Sequence, residues 1–97
     1  MNRNQVISLL SNHREEILRR FSVQRLSVFG SAARDEMRER SDVDMLVEFQ
    51  GPATFDGYMD LKFYLEDLFG TKVDLVTIDD VKPRMRPIFE KDLINVA

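Results

Sequence analysis

The chain contains 97 residues, has a formal net charge of −3 and has no cysteine. We expect one domain spanning residues 1–97. The mildly acidic balance disfavours nucleic acid as a direct ligand, because binding to phosphate backbones needs a basic face. The lack of cysteine excludes disulfide bonds and cysteine-ligated zinc. No run of about 18 apolar residues occurs, so we expect no membrane partner and a cytoplasmic location.

The first half of the chain predicts two helices and two strands. Apolar residues recur at helical spacing from Asn4 to Phe21, which predicts one amphipathic helix. His13 lies near the apolar stripe of this helix, and we expect a half-buried structural role for it rather than catalysis. We then predict a strand over 24–29, a short helix over 32–36, a loop over 37–41 and a strand over 43–49.

The second half begins with a turn around Gly51 and Pro52. It continues with a predicted helix over 54–69 that stops at Gly70, a third strand over 72–77, a last helix from Pro87 to residue 91 and a short edge strand within 93–97. These elements predict an α+β fold of the two-layer α/β type. We expect a small mixed sheet of three to four strands with helices packed on one face.

Two aspartates, Asp42 and Asp44, open the second predicted strand. Side chains two residues apart in a strand point to the same face, so the two carboxylates are expected to lie side by side. Such a pair either raises the pKa of one partner or binds a cation, and oxygen ligands favour Mg²⁺, Mn²⁺ or Ca²⁺ over zinc. We interpret Asp42 and Asp44 as metal ligands.

Gly30 and Ser31 follow the first predicted strand, and ten residues separate Ser31 from Asp42. Glycine lets the backbone approach a ligand closely, and Ser31 is a suitable N-cap for a helix that begins at Ala32. Free N–H groups at a helix start can hold phosphate oxygens. A phosphate cradle beside a metal site suits transfer of a phosphorus centre.

Asp74 lies in the middle of the third predicted strand. Taken alone, it is better interpreted as an exposed edge residue than as a ligand. Next to Asp42 and Asp44 in a three-stranded sheet, it becomes a natural third carboxylate of one site.

The spacing of Gly30-Ser31 and Asp42-x-Asp44 resembles the signature of DNA polymerase β-like nucleotidyltransferases. The surrounding Phe-Gly-Ser-x-Ala-Arg, Ser-Asp-Val-Asp and Leu-Val-Glu-Phe are similar to the minimal nucleotidyltransferase (MNT) domain proteins, antitoxins that are paired with HEPN-domain toxins. The resemblance implies the polymerase β-like nucleotidyltransferase fold. It also matches Arg34 to a residue that the family usually has after Gly-Ser-x-Ala, and Asp74 to the family's third acidic position.

The resemblance implies an enzyme that transfers AMP from ATP to a hydroxyl, with a tyrosine of a HEPN toxin as the expected acceptor. Gly30, Ser31 and Arg34 are the expected nucleotide-binding residues. The expected catalytic residues, and the ligands of two Mg²⁺ ions, are Asp42, Asp44 and Asp74. The alternative is a non-catalytic antitoxin that neutralises its partner by occlusion, or a nucleotide sensor.

Asp35 departs from the family pattern. Relatives commonly have glycine at this position, so we expect a different path for the loop after Arg34. The Asp35 carboxylate also adds negative charge near the expected triphosphate.

Overall fold

The computed structural model describes residues 2–36, 42–87 and 93–97. Its strands are β1 (Val23–Phe29), β2 (Val43–Phe49), β3 (Val73–Thr77) and β4 (Ile94–Asn95), and its helices are α1 (Arg3–Asn12), α2 (Arg14–Arg20), α3 (Gly30–Ala33) and α4 (Phe55–Phe69). Short 3-10 turns follow β3 at Ile78–Asp80 and Pro83–Met85. The predicted loop over 37–41 and the predicted last helix beyond Pro87 lie outside the described residues.

The strands form a four-stranded mixed sheet in the order β3-β2-β1-β4. Strand β1 pairs antiparallel with β2 and β4, whereas β2 pairs parallel with β3. The parallel pair is possible because α4 carries the chain back along the sheet between β2 and β3. This arrangement confirms the predicted α+β class, and β4 confirms the edge strand predicted near the end of the chain.

One face of the sheet is packed against the helices. Val43, Met45 and Val47 alternate along β2 and are fully buried in the core. They share this core with residues of the other strands and of all four helices, among them Val6, Leu10, Ile17, Leu26, Val28, Ala32, Leu61, Leu65, Phe69, Val73 and Leu75. Because side chains alternate in a strand, Asp44 faces the opposite side of the sheet.

The single helix predicted from Asn4 to Phe21 is wrong, because the chain breaks between α1 and α2 at His13. The backbone of His13 leaves the helical region, with ψ of 11°. Its N–H bonds to the carbonyl of Leu10, and its ring Nδ1 lies 2.8 Å from the carbonyl oxygen of Leu9. The side chain therefore takes the carbonyl that the backbone N–H of an unbroken helix would use. This half-buried position agrees with a structural role for His13.

Helix α4 follows its sequence signals closely. The Thr54 side chain accepts a hydrogen bond from the N–H of Gly57 at 3.0 Å, which caps the first turn. Gly70 ends the helix in the left-handed conformation, with φ of +67°. In the described part of the chain, no helix is long and apolar enough to cross a membrane.

Candidate active site

Three aspartates lie at one end of the sheet. In the parallel register of β2 and β3, Asp44 is directly paired with Asp74. Asp42 immediately precedes β2 and is exposed, whereas Asp44 is half-buried and Asp74 is exposed. The fold therefore brings together carboxylates that lie 30 residues apart in the chain (Asp44 to Asp74).

Burial and the neighbouring charges shift the pKa of Asp44. Burial raises the pKa of the Asp44 carboxyl above 3.8, and the negative charges of Asp74 and Asp42 raise it further. The positive charge of Arg34 acts in the opposite direction. A nearby cation would therefore stabilise the ionised form of Asp44.

Gly30 ends β1 against the carboxylate of Asp44. Phe29 pairs with Asp44 across β1 and β2, so the chain turns into α3 directly beside this aspartate. Gly30 has φ of +67°, and a Cβ at this position would overlap Asp44 Oδ2 and lie 3.2 Å from Asp44 Cγ. Both the backbone conformation and the close approach therefore favour glycine over any residue with a side chain.

The predicted capping role of Ser31 is wrong, because α3 begins at Gly30 and its N-cap position is Phe29. The extended backbone of β1 passes straight into α3, so Ser31 falls within the first turn. With only four residues, α3 has a negligible macrodipole. Any phosphate binding here would depend on individual backbone N–H groups of α3 and on the Ser31 hydroxyl, rather than on a helix dipole.

Arg34 lies at the end of α3, and its Nε donates to Glu36 Oε2 at 3.1 Å. This ion pair is largely exposed, so it contributes little stability. The effect of Arg34 on the pKa of Asp44 nevertheless places its charge within electrostatic reach of Asp44.

Asp35 adopts a left-handed backbone conformation, with φ of +59°. Its Oδ1 accepts a hydrogen bond from the backbone N–H of Arg3, in the first turn of α1, at 2.9 Å. Aspartate tolerates this conformation better than most residues. The Asp35 carboxylate is therefore held by the start of α1, which ties the loop after Arg34 to the N-terminal helix.

The three aspartates fit a divalent cation by donor type. All are hard oxygen donors, and the sheet register sets two of them side by side. Their side chains are not drawn together, since no group of three or more potential ligands in residues 2–36, 42–87 and 93–97 has metal-binding geometry.

A cavity of about 920 Å³ lies at the other end of β1 and β2. It is lined by residues such as Ser22, Gln50, Asp60 and Phe63 and contains none of the three aspartates. The candidate site is the group of three aspartates, because two of them follow Gly30-Ser31 at the motif spacing described above.

Two residues of α4 contact the backbone of β3 beside Asp74. The Tyr58 hydroxyl donates to the carbonyl of Leu75, and Glu66 Oε2 accepts from the N–H of Val73 at 3.1 Å. Tyr58 lies at helical spacing from Leu61 and Leu65, so the sequence indicates only a core residue at this position. Nothing in the local sequence distinguishes Glu66 from a surface residue.

The nucleotidyltransferase domain matches residues 10–96, which is most of the chain and includes all of the candidate site residues. The chain belongs to the nucleotidyltransferase domain family. This membership confirms the resemblance stated above and the expectation of a nucleotidyltransferase enzyme.

The chain is similar to several members of this family. It is 36% identical over 92 residues to the protein adenylyltransferase MntA of Thermococcus cleftensis, covering 95% of this chain and 93% of that protein. A solved structure described as a minimal nucleotidyltransferase is 37% identical, with a TM-score of 0.76, and the match covers 91% of this chain and 93% of that one.

More distant complexes share the fold. One contains a tri-AMPylated Shewanella oneidensis HEPN toxin with an MNT antitoxin, at 18% identity and a TM-score of 0.68 over 94% of this chain and 71% of that one. Another toxin–antitoxin structure with AMP-PNP matches at 19% identity and a TM-score of 0.74, over 90% of this chain and 72% of that one. These matches confirm the predicted nucleotidyltransferase fold.

Proposed function

We propose that this protein is an antitoxin that transfers AMP from ATP to a tyrosine hydroxyl of a partner HEPN toxin, with Mg²⁺ as cofactor. The observation that carries the proposal is the side-by-side register of Asp44 and Asp74, with Asp42 two residues away and Gly30 against Asp44. The activity named for the Thermococcus relative and the AMPylated toxin in the Shewanella complex support this choice of reaction and partner.

In this proposal, Gly30 and Ser31 bind the β- and γ-phosphates of ATP through backbone N–H groups and the Ser31 hydroxyl. Arg34 supplies positive charge near Asp44. Close approach of the nucleotide to Asp44 is possible because Gly30 carries no side chain. The AMP-PNP in a structural neighbour supports an adenine nucleotide as the donor.

Asp42, Asp44 and Asp74 hold the cations. When bound, two Mg²⁺ ions supply charge neutralisation at the triphosphate and lower the pKa of the attacking hydroxyl. Asp42 and Asp44 lie next to the phosphate cradle, so they orient the nucleotide and its leaving group. Asp74 lies on β3, on the far side of Asp44 from β1, and in this proposal it is the carboxylate nearest the acceptor hydroxyl.

The reaction is a displacement at the α-phosphorus. The tyrosine oxygen forms a bond to this phosphorus, the bond to the bridging oxygen breaks, and pyrophosphate leaves while the hydroxyl proton is released. No covalent intermediate with the protein is needed. Catalysis by these residues is positioning and charge stabilisation.

The test is the intact mass of the partner protein, co-expressed with wild-type chain, with Asp42→Asn or with the control Asp67→Asn. Asp67 is an exposed carboxylate on α4, so its variant changes charge equally without touching the site. We expect added AMP units with the wild type and the control, and a loss of about 10²- to 10⁴-fold in transfer rate for Asp42→Asn. An unmodified partner that is neutralised equally by all three proteins would instead establish occlusion.

A further inference from the structure

Strand β3 is an edge strand that carries a site residue. In the sheet order β3-β2-β1-β4, its only partner strand in the described residues is β2, through parallel pairing. Parallel pairs are slightly less stable per residue than antiparallel ones, and edge strands have one unpaired side. Asp74 lies in the second position of this five-residue strand. Its location therefore depends on how firmly a short edge strand is held.

Helix α4 supplies hydrogen bonds on both sides of Asp74. Glu66 Oε2 accepts from the N–H of Val73, the residue before Asp74, at 3.1 Å. The Tyr58 hydroxyl donates to the carbonyl of Leu75, the residue after it. The two side chains lie two helical turns apart on α4, and the two backbone groups lie two residues apart on β3. The contacts therefore fix the strand at two points that enclose Asp74.

We propose that Tyr58 and Glu66 are positioning residues that set the location of the Asp74 carboxylate relative to Asp44. The inference rests on the proposed function of the three aspartates. Neither residue touches the reacting groups, and both act through the backbone of β3. A displacement of about 1 Å at a catalytic group can cost on the order of 100-fold in rate, so two hydrogen bonds to an edge strand are enough to matter.

The chain contains a matched control on the same helix. Tyr64 is the only other tyrosine, and its hydroxyl donates to Glu16 of α2 at 3.1 Å. Tyr58→Phe and Tyr64→Phe each remove one hydroxyl from α4 and one hydrogen bond, yet only the first contact reaches β3. A role limited to general stability would make the two variants behave alike.

The experiment measures AMP transfer to the partner protein, with Mn²⁺ titrated as the metal, for the wild type and both phenylalanine variants. We expect Tyr58→Phe to lower kcat about tenfold and to raise the half-saturating Mn²⁺ concentration several-fold, with little change in the KM for ATP. Tyr64→Phe should remain within about twofold of the wild type in all three values. Equal behaviour of the two variants would overturn the proposal.

Glu66 gives a second test, in which a conservative substitution is compared with one that removes the hydrogen-bond acceptor. Glu66→Gln retains a side-chain oxygen that can accept from the N–H of Val73, whereas Glu66→Leu does not. We expect Glu66→Leu to reproduce the loss seen in Tyr58→Phe, and Glu66→Gln to recover most of the wild-type kcat. Equal kcat values for the two Glu66 variants would contradict the role given to this hydrogen bond.

Amide hydrogen exchange tests the same idea without any reaction. Exchange of the Val73 N–H, which donates to Glu66, should accelerate about tenfold or more in Tyr58→Phe combined with Glu66→Leu, and should be unchanged in Tyr64→Phe. If wild-type protein transfers no AMP, the proposed function fails, while this measurement still decides whether α4 holds the strand. Unchanged exchange in the double variant would overturn the inference by itself.

Discussion

Gly30→Ala tests the close approach between the end of β1 and the Asp44 carboxylate. Alanine at this position meets two separate penalties. The backbone must keep φ of +67°, and the new Cβ must displace the Asp44 side chain that it would overlap. Gly70→Ala isolates the first penalty, because Gly70 has the same φ of +67° and nothing lies within 4 Å of its added Cβ.

The two penalties have different sizes. Left-handed backbone costs an alanine about 1–2 kcal/mol, so Gly70→Ala should lower the free energy of unfolding by about that amount. In Gly30→Ala, moving Asp44 out of its rotamer or shifting the backbone adds about 1–3 kcal/mol. We therefore expect a total loss of about 2–5 kcal/mol for Gly30→Ala, and a fall of about 100-fold in AMP transfer.

Urea denaturation followed by circular dichroism gives the stability of both variants, and transfer of AMP to the partner gives the activity of the protein that remains folded. Gly70→Ala should transfer AMP at close to the wild-type rate. The reasoning is refuted if Gly30→Ala is no less stable than Gly70→Ala and retains wild-type transfer, because Asp44 would then tolerate a side chain at Gly30.

Three further predictions follow from the site and from α4. The pKa of Asp44 is raised in the folded protein, so ionisation of this carboxyl costs folding free energy as pH rises above about 3.8. Asp44→Asn should therefore be more stable than the wild type at pH 7, by about 1 kcal/mol given its partial exposure, and this gain should shrink towards pH 4 in denaturation curves. If Asp44→Asn is less stable than the wild type at pH 7, the raised pKa given to Asp44 is contradicted. Ser31→Ala should raise the KM for ATP about tenfold with a smaller change in kcat, and steady-state kinetics showing the reverse would argue against phosphate binding by the hydroxyl. Thr54→Ala should cost about 1 kcal/mol in urea denaturation and leave transfer unchanged, and an unaltered midpoint would show that the cap of α4 is dispensable.

The sequence by itself determined the features that depend on neighbours along the chain. Thr54 and Gly70 mark the two ends of α4 because a cap and a left-handed stop are local hydrogen-bonding and backbone effects. The alternation in β2 placed Asp44 on the face opposite the core for the same reason. The motif around Gly30, Ser31, Asp42 and Asp44 was sufficient to indicate the family.

Tertiary structure decided how distant segments meet. The helix break at His13 and the start of α3 at Gly30 depend on which hydrogen-bond partners the folded chain offers, and helical periodicity carries no information about them. The register that pairs Asp44 with Asp74, and the contacts of Tyr58 and Glu66 with β3, join residues through space. Local spacing predicts which side of an element a residue occupies, but packing between elements alone sets what that side contacts.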